Sequence, residues 1–143
     1  GGGPAEKELR RRIERLGLVD RVTITKFAYE RMQEAYNLAN AFVLASGPRP
    51  GWLEQFGYVL AEALACGLPI IATRSGSIPE VTGDCARLVP PMDFIALAEA
   101  MSEFLRDDAA RESLARAARQ RAEEQFNCRT NALRIEQAYE RVL

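Results

Sequence analysis

Apolar residues recur at two different spacings along this 143-residue chain, and the switches between them divide it into alternating helices and strands. Ala5, Leu9, Ile13 and Leu16 share one helical face after Pro4, with Gly17 as the stop. The β-branched run at residues 22–25 reads as a strand. Residues 30–38 read as a short helix with Met32, Ala35, Tyr36 and Ala39 inward. Residues 41–45 form a continuous apolar run of buried-strand length, followed by a loop at 46–51. A helix over about 55–66, a strand at 69–73 and a turn at 75–77 come next. Residues 78–81 make at most a helical turn, and 86–89 a short strand closed by Pro90 and Pro91.

Beyond that point the pattern is helical throughout. Ile95, Ala98, Met101 and Leu105 mark one helix, with Asp93 as its N-cap. Asp107 or Asp108 opens a second, carrying Leu114, Ala118 and Ala122 to Phe126. Ala132, Ile135, Tyr139 and Val142 mark a last one. Strands alternating with helices imply parallel pairing, so the expected fold is α/β: a doubly wound, Rossmann-like sheet of about four strands with a helical C-terminal tail. Ligands bind beyond the carboxyl ends of such strands. The opening Gly1-Gly-Gly-Pro4 lacks a methionine and looks like the start of a helix that follows a strand, so at least one strand is expected upstream.

The most informative segment is Glu54-Gln-Phe-Gly57-Tyr-Val-Leu-Ala-Glu62, two glutamates with seven residues between them at the start of an apolar helix. A helix opening after a glycine offers free N–H groups and a positive dipole end, which suits a phosphate. Positions eight apart on a helix lie about 12 Å apart along its axis, so one carboxylate is expected near each end of an extended, phosphate-centred ligand.

Charge and composition narrow the chemistry. Net charge is −1, which points to neither nucleic acid nor an anionic membrane as partner. Arg10, Arg11, Arg12 and Arg15 read as a solvated helix face. There is no histidine, and Cys66, Cys85 and Cys128 form no CxxC pair. Ordinary zinc sites, His-based acid–base chemistry and Ser-His or Cys-His nucleophiles are therefore excluded. The cysteines read as small core residues in a reducing cytoplasm, Cys66 with nothing nearby to lower its pKa. No apolar stretch reaches the length of a membrane span.

Gly1-Gly-Gly-Pro4, Asp20-Arg-Val22, the E-x7-E segment, Gly67-Leu-Pro69, Gly76-Ser-Ile-Pro-Glu-Val81 and Leu88-Val-Pro-Pro91 occur together and in this order. In these residues the chain resembles, over essentially its whole length, the C-terminal nucleotide-sugar-binding domain of retaining glycosyltransferases with two facing Rossmann-like domains (GT-B), of the family numbered four. Trp52-Leu-Glu-Gln-Phe-Gly57 resembles a subgroup with a W-x-E-Q-F-G signature.

The resemblance implies a role for each matching position. Glu54, the catalytic candidate, would hold donor-sugar hydroxyls and stabilise positive charge as the glycosidic bond loosens. Glu62 would accept hydrogen bonds from the ribose hydroxyls. Backbone N–H groups of Phe56, Gly57, Tyr58 and Val59 would face the sugar and diphosphate, and Phe27 and Ala28 the base. Glu80 reads as structural, tying the turn at 76–81. Arg49 and Arg74 read as surface residues, Trp52 and Tyr58 as sugar contacts or loop packing. Lys26, Ala86 and Met92 stand where the family usually has glycine, the last two in positions where a shifted loop would take up the side chain.

The same resemblance implies retaining transfer by front-face attack through an oxocarbenium-like state, with the leaving phosphate assisting deprotonation. No metal or other cofactor is expected. The family's basic residues that grip the diphosphate, and its acceptor-binding N-terminal domain, would lie upstream of residue 1. Residues 1–143 would then be a partial donor-binding domain, inactive alone, binding nucleoside diphosphate weakly, and prone to self-association along an unpaired sheet border. The full-length protein would be cytoplasmic, with peripheral membrane association open to it. The other reading is a non-catalytic α/β interaction module, or a regulatory half-domain that completes a partner chain. A phosphoacceptor receiver domain is set aside, because the strands ending at Thr25, Ala45 and Thr73 lack acidic residues.

Overall fold

The computed structural model describes residues 2–142. The chain divides into two compact units, Gly1–Ala35 and Tyr36–Leu143. In the first, helix α1 (Glu6–Arg15) carries acidic residues in its first turn and basic ones in its last, the order that suits the helix dipole. Gly17 does end it: at φ +65° its N–H bonds the Glu14 carbonyl, while Leu18 N–H bonds that of Ile13. The arginine face is solvated as expected, with Arg10 on Glu6 at 2.7 Å. Leu9 and Leu16 are also largely exposed.

The predicted strand at 22–25 does not form. A strand exists only by pairing, and β-branched composition supplies no partner. A 3₁₀ turn (Tyr29–Arg31) then leads into α2 (Met32–Asn37), on which Tyr36 is buried.

The second unit is built on a sheet of three parallel strands rather than four: β1 (Phe42–Leu44), β2 (Ile70–Thr73) and β3 (Ala86–Val89), in that spatial order. Register pairs Phe42 with Ile70 and Ile70 with Ala86. All four residues of β2 are buried, three of them apolar and the last the polar Thr73, as befits a strand covered on both faces. β1 is the edge strand on one side, and Val43 on it is partly exposed.

Helix α3 (Tyr58–Ala65) buries Leu60, Ala63 and Leu64, and α4 (Ile78–Thr82) buries Ile78, Val81 and Thr82. The latter runs one residue past the single turn expected at 78–81. Helix α5 (Phe94–Arg106) packs Ala100 and Phe104 onto Ile71 and Val89. Asp93 caps it by accepting from Ala96 N–H at 2.9 Å. The apolar stripe seen in the sequence is not its buried face: Ile95 is 74% exposed and Leu105 81%. Helix α7 (Cys128–Glu140), capped by Asn127, buries nothing; Ile135 and Tyr139 are exposed, and Val142 lies past its end.

Helix α6 (Asp108–Gln125), capped by Asp107, fastens the others from their C-terminal ends. The Arg111 guanidinium donates to the Phe104 carbonyl at 2.7 Å, at the end of α5. Arg119 donates to the Ala65 carbonyl at the end of α3. Arg121 donates to the Val81 and Glu80 carbonyls at the end of α4, with Nε 2.7 Å from Val81 O. Each guanidinium satisfies orphan carbonyls where the helix dipole is negative. Gly83 fits this arrangement, since a Cβ there would fall 2.7 Å from Arg121 Nη1. Glu80 thus serves through its carbonyl, and among the described residues its carboxylate makes no hydrogen bond or ion pair that would tie the turn.

Burial pushes the Cys66 thiol up, with Glu62 adding to the effect and Arg119 opposing it. Burial likewise raises Cys85, whose sulfur donates to the Ala117 carbonyl. Cys128 is exposed, so it is not the core residue the sequence suggested.

Two outcomes follow. Arg121→Ala should cost about 1–2 kcal/mol in urea unfolding, whereas Arg116→Ala, whose exposed guanidinium lies 3.8 Å from the exposed Glu112 carboxylate, should cost almost nothing. Thiol labelling at neutral pH should modify Cys128 first. Because the folded-state pKa values of Cys66 and Cys85 are raised, their thiolate fractions are small there, and their labelling should climb only as pH passes above the usual thiol range.

Candidate functional site

Three connections meet at the carboxyl edge of the sheet: residues 45–57 after β1, 74–77 after β2 and 90–93 after β3. The first is fixed by the second. The Thr73 hydroxyl donates to the Ser46 carbonyl. Further along, Arg49 and Trp52 exchange backbone hydrogen bonds of 3.1 and 2.9 Å around Pro50 and Gly51, which leaves Trp52 49% exposed. Two residues on, the Glu54 carbonyl accepts from both the N–H and the hydroxyl of Ser77, at 3.0 and 3.1 Å.

That contact depends on Gly76. At φ +55° it lies against the Glu54 backbone, and a Cβ there would come within 3.0 Å of Glu54 N and overlap its carbonyl. Within the same turn Ser75 Oγ is buried with no hydrogen-bond partner in the described residues. Glu54 is therefore held by its main chain, and its half-buried side chain borders a concavity of about 450 Å³ lined by residues 51–58. A neighbouring concavity of about 570 Å³ is lined by residues 44–47 with Arg49, Pro50 and Trp52.

Gly57 turns the chain into α3. It is left-handed at φ +71°, ψ +67°, no side chain caps the helix end, and a Cβ would meet Leu60 Cδ1 at 3.0 Å. The Phe56 ring sits 5.2 Å from that of Tyr58 and 5.7 Å, edge-on, from that of Phe126. Phe56 is thus an aromatic anchor of the junction. Tyr58 is 77% exposed, and Val59 is partly buried.

Because α3 begins at Tyr58, only half of the eight-residue separation between the glutamates is helical. The rigid 12 Å spacing expected from a continuous helix does not apply. Glu54 stands before the helix and Glu62 one turn inside it, about 6 Å along the axis from its start. The lining of the 450 Å³ concavity includes Glu54, Phe56, Gly57 and Tyr58 but not Glu62. Glu62 Oε2 instead accepts from the Tyr36 hydroxyl at 2.6 Å, and the Tyr36 ring packs 5.8 Å from Phe42. The sequence signal for that bond was slight: an inward-facing tyrosine must send its hydroxyl somewhere.

Phe27 and Ala28 belong to the first unit, in irregular chain where a strand end was expected; Ala28 precedes the 3₁₀ turn in extended conformation. Arg49 and Arg74 are exposed. Met92 keeps the left-handed backbone of a glycine, at φ +62°, rather than shifting the loop, a strain of about 1–2 kcal/mol. Its sulfur lies where a Cβ on Gly47 would meet it at 3.0 Å. Among the described residues, no helix is long and apolar enough to cross a membrane.

Known proteins resemble this chain in sequence and in fold. The family described as glycosyl transferases group 1 matches residues 1–121. A GDP-mannose-dependent alpha-(1-6)-phosphatidylinositol monomannoside mannosyltransferase of Mycolicibacterium smegmatis is 31% identical over 94% of this chain and 37% of its own length. Among solved structures, sucrose-phosphate synthase from Thermosynechococcus elongatus is 31% identical with a TM-score of 0.79, covering 99% of this chain and 37% of that one. Anabaena Alr3699/HepE, in complex with UDP, is 26% identical with a TM-score of 0.81 over 94% of this chain and 36% of that one. The chain thus spans little more than a third of the length of these relatives. With a parallel α/β sheet, a loop-to-helix junction at its carboxyl edge and a family match over residues 1–121, the chain belongs to the glycosyl transferases group 1 family, as a GT-B C-terminal domain.

Proposed function

We propose that this chain binds the nucleoside diphosphate-sugar donor of a retaining glycosyltransferase, which moves the sugar to an acceptor hydroxyl. The observation that carries this reading is the junction at residues 54–58. There a carboxylate fixed by its own backbone stands beside an uncapped, glycine-led helix start. Free N–H groups and the positive end of a helix favour a diphosphate, and a carboxylate alongside favours a sugar that develops positive charge.

In this reading Glu54 binds sugar hydroxyls and stabilises the oxocarbenium-like state. The N–H groups of Phe56, Gly57, Tyr58 and Val59 face the sugar and diphosphate, Glu62 takes the ribose, and Phe27 and Ala28 contact the base. Support comes from the solved relative that holds UDP. Catalysis rests on positioning and charge stabilisation, with the leaving phosphate taking the acceptor proton. Metal independence, a cytoplasmic setting and lack of turnover by these 143 residues alone belong to the same proposal.

Titration with UDP, GDP and ADP by calorimetry or ligand-observed NMR should detect weak binding. Loss of a charge-assisted hydrogen bond in Glu62→Ala should weaken the best of the three by about tenfold or more. Failure of all three nucleotides to bind would overturn the reading. Gly76→Ala should weaken nucleotide binding and also cost about 1–3 kcal/mol in stability, because its Cβ displaces the Glu54 backbone. The same substitution at the open, left-handed Gly17 adds only backbone strain and should leave binding intact.

A further inference from the structure

We infer that Tyr36 is a positioning residue for ribose recognition: its hydroxyl sets the Glu62 carboxylate in one orientation before the nucleotide arrives. The inference rests on the ribose role proposed for Glu62, and it assigns a residue that the nucleotide itself need not touch.

Tyr36 is 5% exposed, and its ring lies 5.8 Å from that of Phe42, the first residue of β1. A ring held by packing on the sheet has little freedom, so its hydroxyl is a fixed donor. It meets Glu62 Oε2 at 2.6 Å, within the short range of an O–H···O⁻ bond. The two residues are 26 apart in sequence and lie on different helices, so local chain geometry does not bring them together. An unrestrained glutamate samples several rotamers and loses that freedom on binding. Here one oxygen is already engaged, while the other oxygen, Oε1, keeps its lone pairs for the vicinal hydroxyls of a ribose. The freedom is lost on folding instead of on binding.

The alternative is that the bond merely satisfies a buried phenol. The two differ in what they do to sugar discrimination. A structural bond affects every nucleotide alike; a positioning bond affects only those with ribose hydroxyls.

The test uses the best binder among UDP, GDP and ADP, together with its 2′,3′-dideoxy form, both measured by ligand-observed NMR on the same sample. A ratio taken on one sample does not depend on how much of the protein is folded. Wild type should prefer the ribonucleotide, and Glu62→Gln should abolish the preference. Tyr36→Phe keeps the ring and removes the hydroxyl. It should weaken the ribonucleotide by about two- to tenfold and leave the dideoxy form unchanged. In the Glu62→Gln background Tyr36→Phe should change neither.

If Tyr36→Phe weakens both nucleotides together, or leaves the preference intact where Glu62→Gln removes it, Tyr36 is structural and the positioning role is wrong while the ribose role of Glu62 stands. If wild type shows no ribose preference, or Glu62→Gln preserves it, the ribose role itself fails and the positioning role with it.

Discussion

Strand β2 is the fixed point of the larger unit. It is the middle strand, hydrogen-bonded on both edges and buried along all four residues. A strand held on every side cannot move its carboxyl end, and that end fastens the loop before α3. Thr73 takes the Ser46 carbonyl, and the turn at 75–77 receives the Glu54 backbone across Gly76. The loop from β1 carries no secondary structure beyond one bridge between Arg49 and Trp52. Its order at Glu54 therefore comes from β2, and so does the start of α3.

Helix α6 contributes a second constraint from the opposite ends of the helices. Three of its four guanidiniums, those of Arg111, Arg119 and Arg121, close the C-termini of α5, α3 and α4, where carbonyls lack intrahelical partners. The N-terminus of α3 is left without a side-chain cap. One end of that helix is thus closed by a guanidinium, while the other is closed by no side chain. For a domain proposed to hold a diphosphate, the asymmetry matters: polar groups reserved for the ligand lie on a helix whose stability is secured elsewhere.

The two glutamates are managed differently. Glu54 is oriented through its main chain, by Ser77 and the glycine at 76, so its carboxylate stays available beside the open concavity. Glu62 is oriented through its side chain, by a phenol itself fixed on β1. This difference suits the roles proposed for them: a group that would meet developing charge has to be rigid without having its lone pairs spent, and one that would meet a neutral diol can give up one acceptor and keep enough.

The sequence by itself determined the alternation of elements, the β2 strand, the cap at Asp93, the opening of α6 at Asp107 or Asp108, the stop at Gly17 and the E-x7-E pair with its glycine. These depend on local spacing, local sterics and the hydrogen bonds of near neighbours, all of which a run of residues carries. The family, too, was legible in its ordered short motifs. Tertiary structure decided the rest. Residues 22–25 have strand composition yet form none, because pairing is a relation between segments. On α5 the buried face is Ala100 and Phe104, not the more hydrophobic stripe through Ile95 and Leu105, because what a helix buries is set by the sheet beneath it. The arginine closures, the Gly76 contact and the Tyr36–Glu62 bond join residues from 7 to 54 positions apart. Such contacts arise only when packing brings the partners together, and no periodicity along the chain encodes them.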